Sequence, residues 1–237
     1  MDLSRATYRS APLVVTEIRP RVFAFVGTGG TVTAIGGSSE CAVIDTGYGP
    51  RVDEIRSAIT STLHQSARWL INTHWHFDHS DGNSRFAEAG TAIVAHENCR
   101  IRLSRDQYVP SLNWKISAAP RTAWPVLTFN AQVAVDVGSD TLELLSQSPA
   151  HTDADVAVWL STSNVLVMGD LMSTGSYPII DESSHGSLSG MIQAVDRLLQ
   201  LANSETLVVP GHGPIGNPDS LLEFATCCAA LKVGLSP

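Results

Sequence analysis

Apolar residues along the chain fall into two patterns, which predict amphipathic helices and short buried strands. Residues 51–63 and 188–201 place hydrophobic side chains at three- and four-residue intervals, the spacing of one helix face. Asn217 and Pro218 form an N-cap followed by proline, which predicts a final helix to about residue 232. Shorter helices are predicted at 85–89 and 97–103. Strands are predicted at 13–18, 21–26, 31–35, 41–44, 68–73, 91–95, 132–137, 141–145, 156–160, 164–168 and 206–209.

The order of these elements favours a mixed α/β sandwich. Strands precede a helix, a strand and further helices, and a second series of strands is followed by helices and a strand. Two long irregular segments interrupt the pattern, at 104–129, which contains three prolines, and at 172–186. Neither a sequence repeat nor a linker divides residues 1–237, so we expect a single domain.

Composition narrows the classes of function. Hydrophobic residues make up 43% of the chain and charged residues only 16%, which predicts a packed core rather than disorder. The net charge of -8 argues against a nucleic-acid partner, because binding a phosphate backbone requires a basic surface. The chain shows neither an apolar stretch of about 18 residues nor a signal-peptide pattern, so we expect no membrane partner and a cytoplasmic location. The four cysteines lack the C-x-x-C spacing and predict no disulfide framework.

Residues 72–83 carry the chemistry that stands out most. Three histidines and one aspartate fall within six residues, directly after a predicted buried strand. His74 and His76 are two residues apart and face the same point in an extended segment. Asp78 and His79 are adjacent and diverge unless the chain bends, so the geometry suits two neighbouring metal ions. Imidazole and carboxylate are ligands of zinc, and they also suit iron and manganese.

The run at 74–79 resembles the His-x-His-x-Asp-His signature of the metallo-β-lactamase superfamily. Members of this superfamily add a histidine, an aspartate and a final histidine, each on a loop after a strand. This chain offers His151, Asp170 and His212 in that order, and Asp45 matches a further family position beside the metals. The resemblance extends from about residue 22 to the final helix. It implies an αβ/βα four-layer sandwich with mixed sheets and with the metals at one edge between the two sheets.

The resemblance also implies which residue binds which metal ion. It assigns His74, His76 and His151 to one zinc ion and Asp78, His79 and His212 to the other, with Asp170 bridging the two. Seven ligands for two ions leave coordination positions open for water, which is typical of catalytic sites. Ions about 3.5–4 Å apart can share a hydroxide that attacks a substrate. Asp78 is the predicted catalytic residue, which orients this nucleophile or carries its proton.

These residues favour a dinuclear zinc hydrolase that acts on a small ester, thioester, lactone or amide. The β-lactamases of the superfamily place cysteine or serine where Asp170 stands, so a β-lactamase is disfavoured. With an aspartate at this position, the chain is more similar to glyoxalase II, the acyl-lactone lactonases and general hydrolases of the family. A mononuclear iron persulfide dioxygenase is the alternative, because its motif is the same. A metal-stabilised binding protein without turnover is a third reading.

The irregular segments supply candidate substrate contacts. Five basic residues and one acidic residue fall between 100 and 121, a local bias within an acidic chain. Such a segment suits a lid over an anionic, partly apolar small molecule, although a solvated face with tryptophans in the core is the commoner arrangement. The oligomeric state is not predicted. The candidate substrate-binding residues are Tyr108, Trp114, Lys115, Arg121, Tyr177 and His185.

Overall fold

The computed structural model describes residues 11–27, 29–110, 113–147 and 149–234, without the side chain of Trp114. The helices are α1 (Val52–Leu63), α2 (Phe77–Ser80), α3 (Asn83–Ala87), α4 (Glu97–Leu103), α5 (Leu188–Leu199) and α6 (Pro218–Gly234). The strands are β1 (Val14–Arg19), β2 (Val22–Val26), β3 (Val32–Gly36), β4 (Cys41–Ile44), β5 (Ala67–Ile71), β6 (Ala92–His96), β7 (Gln107–Val109), β8 (Trp114–Ile116), β9 (Leu127–Phe129), β10 (Gln132–Asp136), β11 (Thr141–Ser146), β12 (Val156–Leu160), β13 (Val165–Ser173) and β14 (Leu207–His212). Short 3-10 turns lie at Gly49–Arg51, Arg121–Ala123 and Glu182–Ser184.

The strands form two mixed sheets and a small hairpin. The larger sheet has the order β1-β2-β3-β4-β5-β6-β9; its pairs are antiparallel up to β4 and parallel from β4 onwards. The second sheet has the order β10-β11-β12-β13-β14, in which only the β13–β14 pair is parallel. Strands β7 and β8 pair with each other in a separate antiparallel hairpin.

Three apolar clusters separate four layers. One cluster fills the space between the two sheets, where Ile44 and Ile71 of the larger sheet meet Leu144 and Val158 of the second. Another cluster packs α1 against the outer face of the larger sheet. The third packs α5 and α6 against the outer face of the second sheet. The predicted mixed α/β sandwich, with helices outside two facing sheets, is confirmed.

The two helices predicted from three- and four-residue apolar spacing form as predicted. Helix α1 buries the four residues of its apolar stripe and ends at His64, which adopts a left-handed conformation with φ 54°. Helix α5 begins after Ser187, whose side chain accepts a hydrogen bond from the amide of Gly190. Periodicity of 3.6 residues therefore located both helices.

Several predicted boundaries were wrong, and two of them affect the site. The strand expected to end at residue 168 continues to Ser173, so Asp170 lies inside β13 rather than on a loop. The strand expected to end at residue 209 continues to His212. Parallel pairing between β13 and β14 resumes after irregularities on both sides of Gly169, and this long-range pairing extends both strands. The segment at 104–129, expected to be irregular, contains three short strands: β7 and β8 pair with each other, and β9 pairs with β6 and so becomes the edge of the larger sheet.

The chain brings one edge of both sheets together. Asp45 directly follows β4, His74 follows the parallel strand β5, and His212 ends β14. Because parallel strands end at the same edge, these residues converge there. Within the described ranges, every helix is too short or too polar to cross a membrane.

Candidate metal centre

All seven predicted ligands meet at this edge, in two groups. The first cluster consists of His74, His76, His151 and Asp170, and each residue offers a ligand atom within 4.8 Å of the others. The second cluster consists of Asp78, His79 and His212, which meet the same limit. The one-turn helix α2 supplies the bend that the adjacent residues Asp78 and His79 require. A metal ion could be held by each cluster.

Asp170 belongs to the first cluster but presents a separate oxygen to each of the two clusters. Its Oδ2 is 3.5 Å from His151 Nε2 and 3.8 Å from His74 Nε2. Its Oδ1 is 3.1 Å from His79 Nε2 and 3.3 Å from His212 Nε2. A carboxylate in this position can serve both clusters at once.

Four of the five histidine rings are also held from outside the clusters. Their outer nitrogens form hydrogen bonds that fix the ring orientation and the position of the ring proton. The pairs are His74 Nδ1 with Thr73 Oγ1 at 3.1 Å, His76 Nε2 with Asp181 Oδ2 at 3.0 Å, His79 Nδ1 with Asp45 Oδ2 at 2.8 Å, and His151 Nδ1 with the Ile179 carbonyl at 2.7 Å.

These outer bonds leave lone pairs facing inward. A carboxylate or a carbonyl only accepts, so Asp181 and Ile179 place the ring protons of His76 and His151 on the outer nitrogens. The inner nitrogens, His76 Nδ1 and His151 Nε2, then face each other as acceptors at 2.9 Å. Such a contact is unfavourable between two neutral rings and becomes favourable when a cation binds both.

Two further atoms support a fit to metal. The buried atoms His74 Nε2 and Asp170 Oδ1 have no hydrogen-bond partner in the described part of the chain. Buried polar atoms are normally satisfied, and an ion is one of the partners that can satisfy them. The donor set of imidazoles and carboxylates is also one that transition-metal ions accept. The residues present therefore fit bound metal.

Electrostatics differ between the clusters. Burial lowers the pKa of His74 well below its usual value and lowers that of His151 to about 4. Burial also acts on His79 and His212, but the negative charges of Asp170 and Asp78 outweigh it. They raise the pKa of His79 well above its usual value and that of His212 to about 10. Although burial opposes it, the same histidines hold the pKa of Asp170 well below its usual range.

Asp45 supports both clusters. Its Oδ2 accepts hydrogen bonds from His79 Nδ1 at 2.8 Å and from Thr73 Oγ1 at 2.7 Å, while its Oδ1 accepts from the Thr73 amide at 2.8 Å. Because the Thr73 hydroxyl donates to Asp45, it is left to accept from His74. Asp45 itself adopts a left-handed backbone conformation with φ 60°, a strained geometry of the kind that clusters at functional sites.

Two glycines allow the backbone to approach the clusters closely. A Cβ atom on Gly30 would overlap the His79 ring, and one on Gly211 would overlap Asp170 Oδ1. Gly30 lies in the turn before β3, and Thr28 lies outside the described residues. The amide of Gly30 donates to the Asp78 carbonyl at 2.9 Å, so this turn packs directly against the ligand loop.

The candidate substrate-binding residues lie on exposed segments. Tyr108 and Lys115 are exposed cross-strand partners in the β7–β8 hairpin, and the Arg121 guanidinium lies 5.8 Å from the Trp124 ring. Tyr177 is 72% exposed beside a pocket of about 420 Å³ next to α6, and His185 is exposed. The side chain of Trp114 lies outside the described residues. In the part of the chain that the structure describes, none of these side chains forms a hydrogen bond or ion pair with a predicted ligand, so their role stays a prediction.

Sequence reasoning missed three outer partners. Asp181 and the Ile179 carbonyl belong to the segment expected to be a loop, and Thr73 was assigned only to a strand. The one local signal at Asp181 is an N-cap pattern, because its side chain accepts from the amides of Ser183 and Ser184. That pattern predicts a turn and says nothing about a partner elsewhere in the chain.

The fold and the site together define a mixed α/β sandwich with a histidine-rich possible metal site at one edge. The family model described as the metallo-beta-lactamase superfamily matches residues 26–212, and the chain belongs to this superfamily. Most members of the superfamily are metal-dependent hydrolases.

Relatives named for different activities align with different fractions of this chain. The metallo-beta-lactamase type 2 of Bacteroides fragilis is 22% identical over 220 residues, which covers 89% of this chain and 83% of that protein. The hydroxyacylglutathione hydrolase of Rhodospirillum rubrum is 26% identical over 173 residues, which covers 73% and 57%. The acyl-coenzyme A thioesterase MBLAC2 of Bos taurus is 24% identical over 226 residues, which covers 84% and 78%.

A solved structure is similar in fold. The metallo-beta-lactamase from Pontibacter korlensis superposes with a TM-score of 0.75 and covers 92% of this chain and 99% of its own. Its sequence is only 22% identical, so the likeness concerns the fold alone.

Proposed function

We propose that this protein is a dinuclear zinc hydrolase that cleaves a small ester, thioester, lactone or amide. The observation that carries the proposal is the position of Asp170, with one oxygen toward each cluster. The inward lone pairs of the histidines add to it, because outer partners hold these rings in the orientation a ligand needs. One cluster alone would not require a carboxylate placed between two sets of nitrogens.

When bound, two zinc ions supply a water nucleophile at neutral pH and polarise the substrate oxygen. The residues of the chain do the rest. Asp78 turns Oδ2 toward His212 Nε2 at 3.3 Å, which leaves Oδ1 as the atom that accepts the proton of the attacking water. The side chain of His212 is 27% exposed, more than that of any of the other four ligand histidines. The substrate therefore enters on the His212 side.

Thioesters are the substrates to test first. Two relatives are named for acting on a thioester, one on hydroxyacylglutathione and one on acyl-coenzyme A. Both named substrates carry anionic groups, which suits the exposed cations Lys115 and Arg121. Arg102 is unsuited to this role, because its guanidinium is already bound by Asp153 at 2.7 Å.

The test combines metal content with a substrate panel. Protein purified without added metal is analysed for zinc, iron and manganese, and is assayed with S-acyl glutathiones, acyl-coenzyme A, lactones, aryl esters and nitrocefin. We expect close to two zinc ions per chain and hydrolysis that Asp78→Asn slows by about 10²-fold or more, the usual range for a lost proton-transfer group. Asp219→Asn, an exposed carboxylate on α6, is the matched control and keeps full activity.

Three results would contradict the proposal. One iron per chain, with oxygen uptake on glutathione persulfide, would identify a dioxygenase. Nitrocefin turnover far above that of every other substrate would identify a β-lactamase. Failure to bind metal even after zinc reconstitution would exclude the proposed hydrolase and both of these alternatives. The two clusters would then be a hydrogen-bonded network.

A further inference from the structure

Asp181 is a buried carboxylate with an unusually full set of donors. Its side chain is only 5% exposed, and its Oδ2 accepts from His76 Nε2 at 3.0 Å and from Ser184 Oγ at 2.6 Å. Its Oδ1 accepts from the amides of Ser183 at 3.0 Å and Ser184 at 3.3 Å. Both oxygens are thus hydrogen-bonded: Oδ1 only to the turn, and Oδ2 to the turn and to His76.

The same segment holds a second histidine of the first cluster. The Ile179 carbonyl accepts from His151 Nδ1 at 2.7 Å, and the Asp181 amide donates to the His151 carbonyl at 2.9 Å. The Ser187 amide donates to the Ala150 carbonyl at 2.7 Å. Residues 179–187, called here the bracing segment, therefore touch both histidines that face each other across the first cluster.

The bracing segment is itself anchored. Trp75, a buried residue between His74 and His76 in the sequence, donates from Nε1 to Ser184 Oγ at 3.1 Å. Arg102 donates to the Ser183 carbonyl at 3.4 Å and pairs with Asp153 at 2.7 Å. A carboxylate held on this many sides has little freedom to follow the His76 ring, so the ring must follow the carboxylate.

We propose that Asp181 is a positioning residue that holds His76 with its proton on Nε2 and so presents Nδ1 to a metal ion in the first cluster. A neutral imidazole carries one proton, and a carboxylate at Nε2 places it there. Without that carboxylate the ring can rotate or carry the proton on Nδ1, and either change removes the ligand. The inference rests on the proposed function, because it concerns the affinity of one of the two metal sites.

The test isolates each cluster. The His212→Ala background disrupts the second cluster and leaves the first intact. The His151→Ala background disrupts the first cluster and leaves the second intact. Metal-free protein is titrated with zinc in a competition assay, and with cobalt(II) to record visible absorption, which reports coordination geometry. We expect Asp181→Ala to weaken zinc binding about 10–100-fold in the first background, the usual effect of removing such an outer partner, and to alter the cobalt spectrum there.

Two matched variants sharpen the result. Asp181→Ala should leave zinc binding and the cobalt spectrum unchanged in the His151→Ala background. Glu182→Ala removes the adjacent, exposed carboxylate of the same turn and should leave both backgrounds unchanged. Asp181→Asn, which serves if Asp181→Ala does not fold, has one oxygen instead of two and cannot accept from both His76 and the serine amides. It should give a smaller weakening in the same cluster.

The outcomes separate this inference from the function beneath it. Unchanged zinc affinity of the first cluster in both Asp181 variants would overturn the positioning role alone, provided that the wild-type protein binds two metal ions and hydrolyses its substrate. Equal weakening of both clusters would also overturn it, because general structural damage has no preference. A wild-type protein that binds no metal would overturn the proposed function and this inference together.

Discussion

The two clusters are built from similar residues but are held in different ways. In the first cluster, all three histidines have an outer hydrogen-bond partner, and the side chains of His74 and His151 are 1% exposed. In the second cluster, His79 has such a partner, whereas His212 Nδ1 has none among the described residues. The second cluster is also the one that contains Asp78, so it combines negative charge with access to solvent.

In the proposed dinuclear site, this difference would separate two tasks. The first cluster offers neutral nitrogens fixed in advance, which favours tight binding with little reorganisation. The second cluster carries charges that compensate each other, so a metal ion there has to displace a proton from a histidine. A rigid, neutral half and an open, charged half suit a site in which one metal is retained and the other meets the substrate.

Asp170→Ala should give the largest effect, because the two oxygens of Asp170 face different clusters. We expect loss of metal from both and a fall in hydrolysis of about 10³-fold, since a metal ion contributes several kcal/mol to transition-state stabilisation. Metal analysis and kcat/KM are the measurements. Asp196→Ala, on the exposed side of α5, is the control. Full metal content and full activity in Asp170→Ala would contradict a shared role for this carboxylate.

Metal removal should destabilise the fold and reveal which half refills first. A ligand present at a hundredfold Kd stabilises a protein by about 2.7 kcal/mol per site, and each kcal/mol shifts Tm by about 2–4 °C for a chain of this size. We expect chelation to lower Tm accordingly. Zinc returned one equivalent at a time should restore the larger share with the first equivalent in wild type and in His212→Ala. A larger rise in Tm on the first equivalent of zinc in His151→Ala than in His212→Ala would show that the second cluster, not the first, binds zinc more tightly.

Gly30→Ala should damage the second cluster and spare the first. The added methyl group would overlap the His79 ring, and overpacking of this kind costs about 1–3 kcal/mol. Thermal unfolding and zinc titration should show lower stability and loss of one metal ion. Gly234→Ala is the matched control, because a Cβ at that position would meet no atom within 4 Å. Retention of two metal ions with unchanged affinity would show that Gly30 and the turn before β3 do not position His79.

The parts of the fold predicted from sequence were those determined by local pattern. Helices α1 and α5 each bury one stripe of their surface, so periodicity alone located them. The end of β13 was missed because Gly169 and Asp170 resemble a strand terminus locally. Pairing with β14, which lies more than thirty residues further along the chain, carries the strand on to Ser173. Propensity contains no information about such a partner.

The candidate site likewise has a part that the local sequence predicts and a part that only long-range contacts bring together. The run at 74–79 is local, and the family's order of motifs led to His151, Asp170 and His212. Asp181 was missed because its contact with His76 spans 105 residues. The local sequence from Asp181 to Ser184 reads as a capped turn, and only the folded chain places the same carboxylate against a ligand histidine.

Thr73→Val should give the smallest effect on zinc affinity, and it tests directly how His74 is held in the first cluster. Valine keeps the shape of threonine but removes the hydroxyl that accepts from His74 Nδ1 and donates to Asp45. We expect a loss of about 2 kcal/mol in stability, since two hydrogen bonds worth about 1 kcal/mol each are removed, and a weakening of the first cluster smaller than that of Asp181→Ala. Zinc titration in the His212→Ala background and thermal unfolding measure the two effects.

Thr33 provides the control for this last change. Its buried hydroxyl has no hydrogen-bond partner in the described part of the chain, so Thr33→Val removes an unsatisfied polar group. It should leave stability unchanged or raise it, and leave zinc affinity unchanged. If both valine variants behave alike, the hydroxyl of Thr73 contributes nothing to holding His74. The first cluster would then be fixed by the bracing segment alone, and the contrast with the second cluster would depend on Asp181.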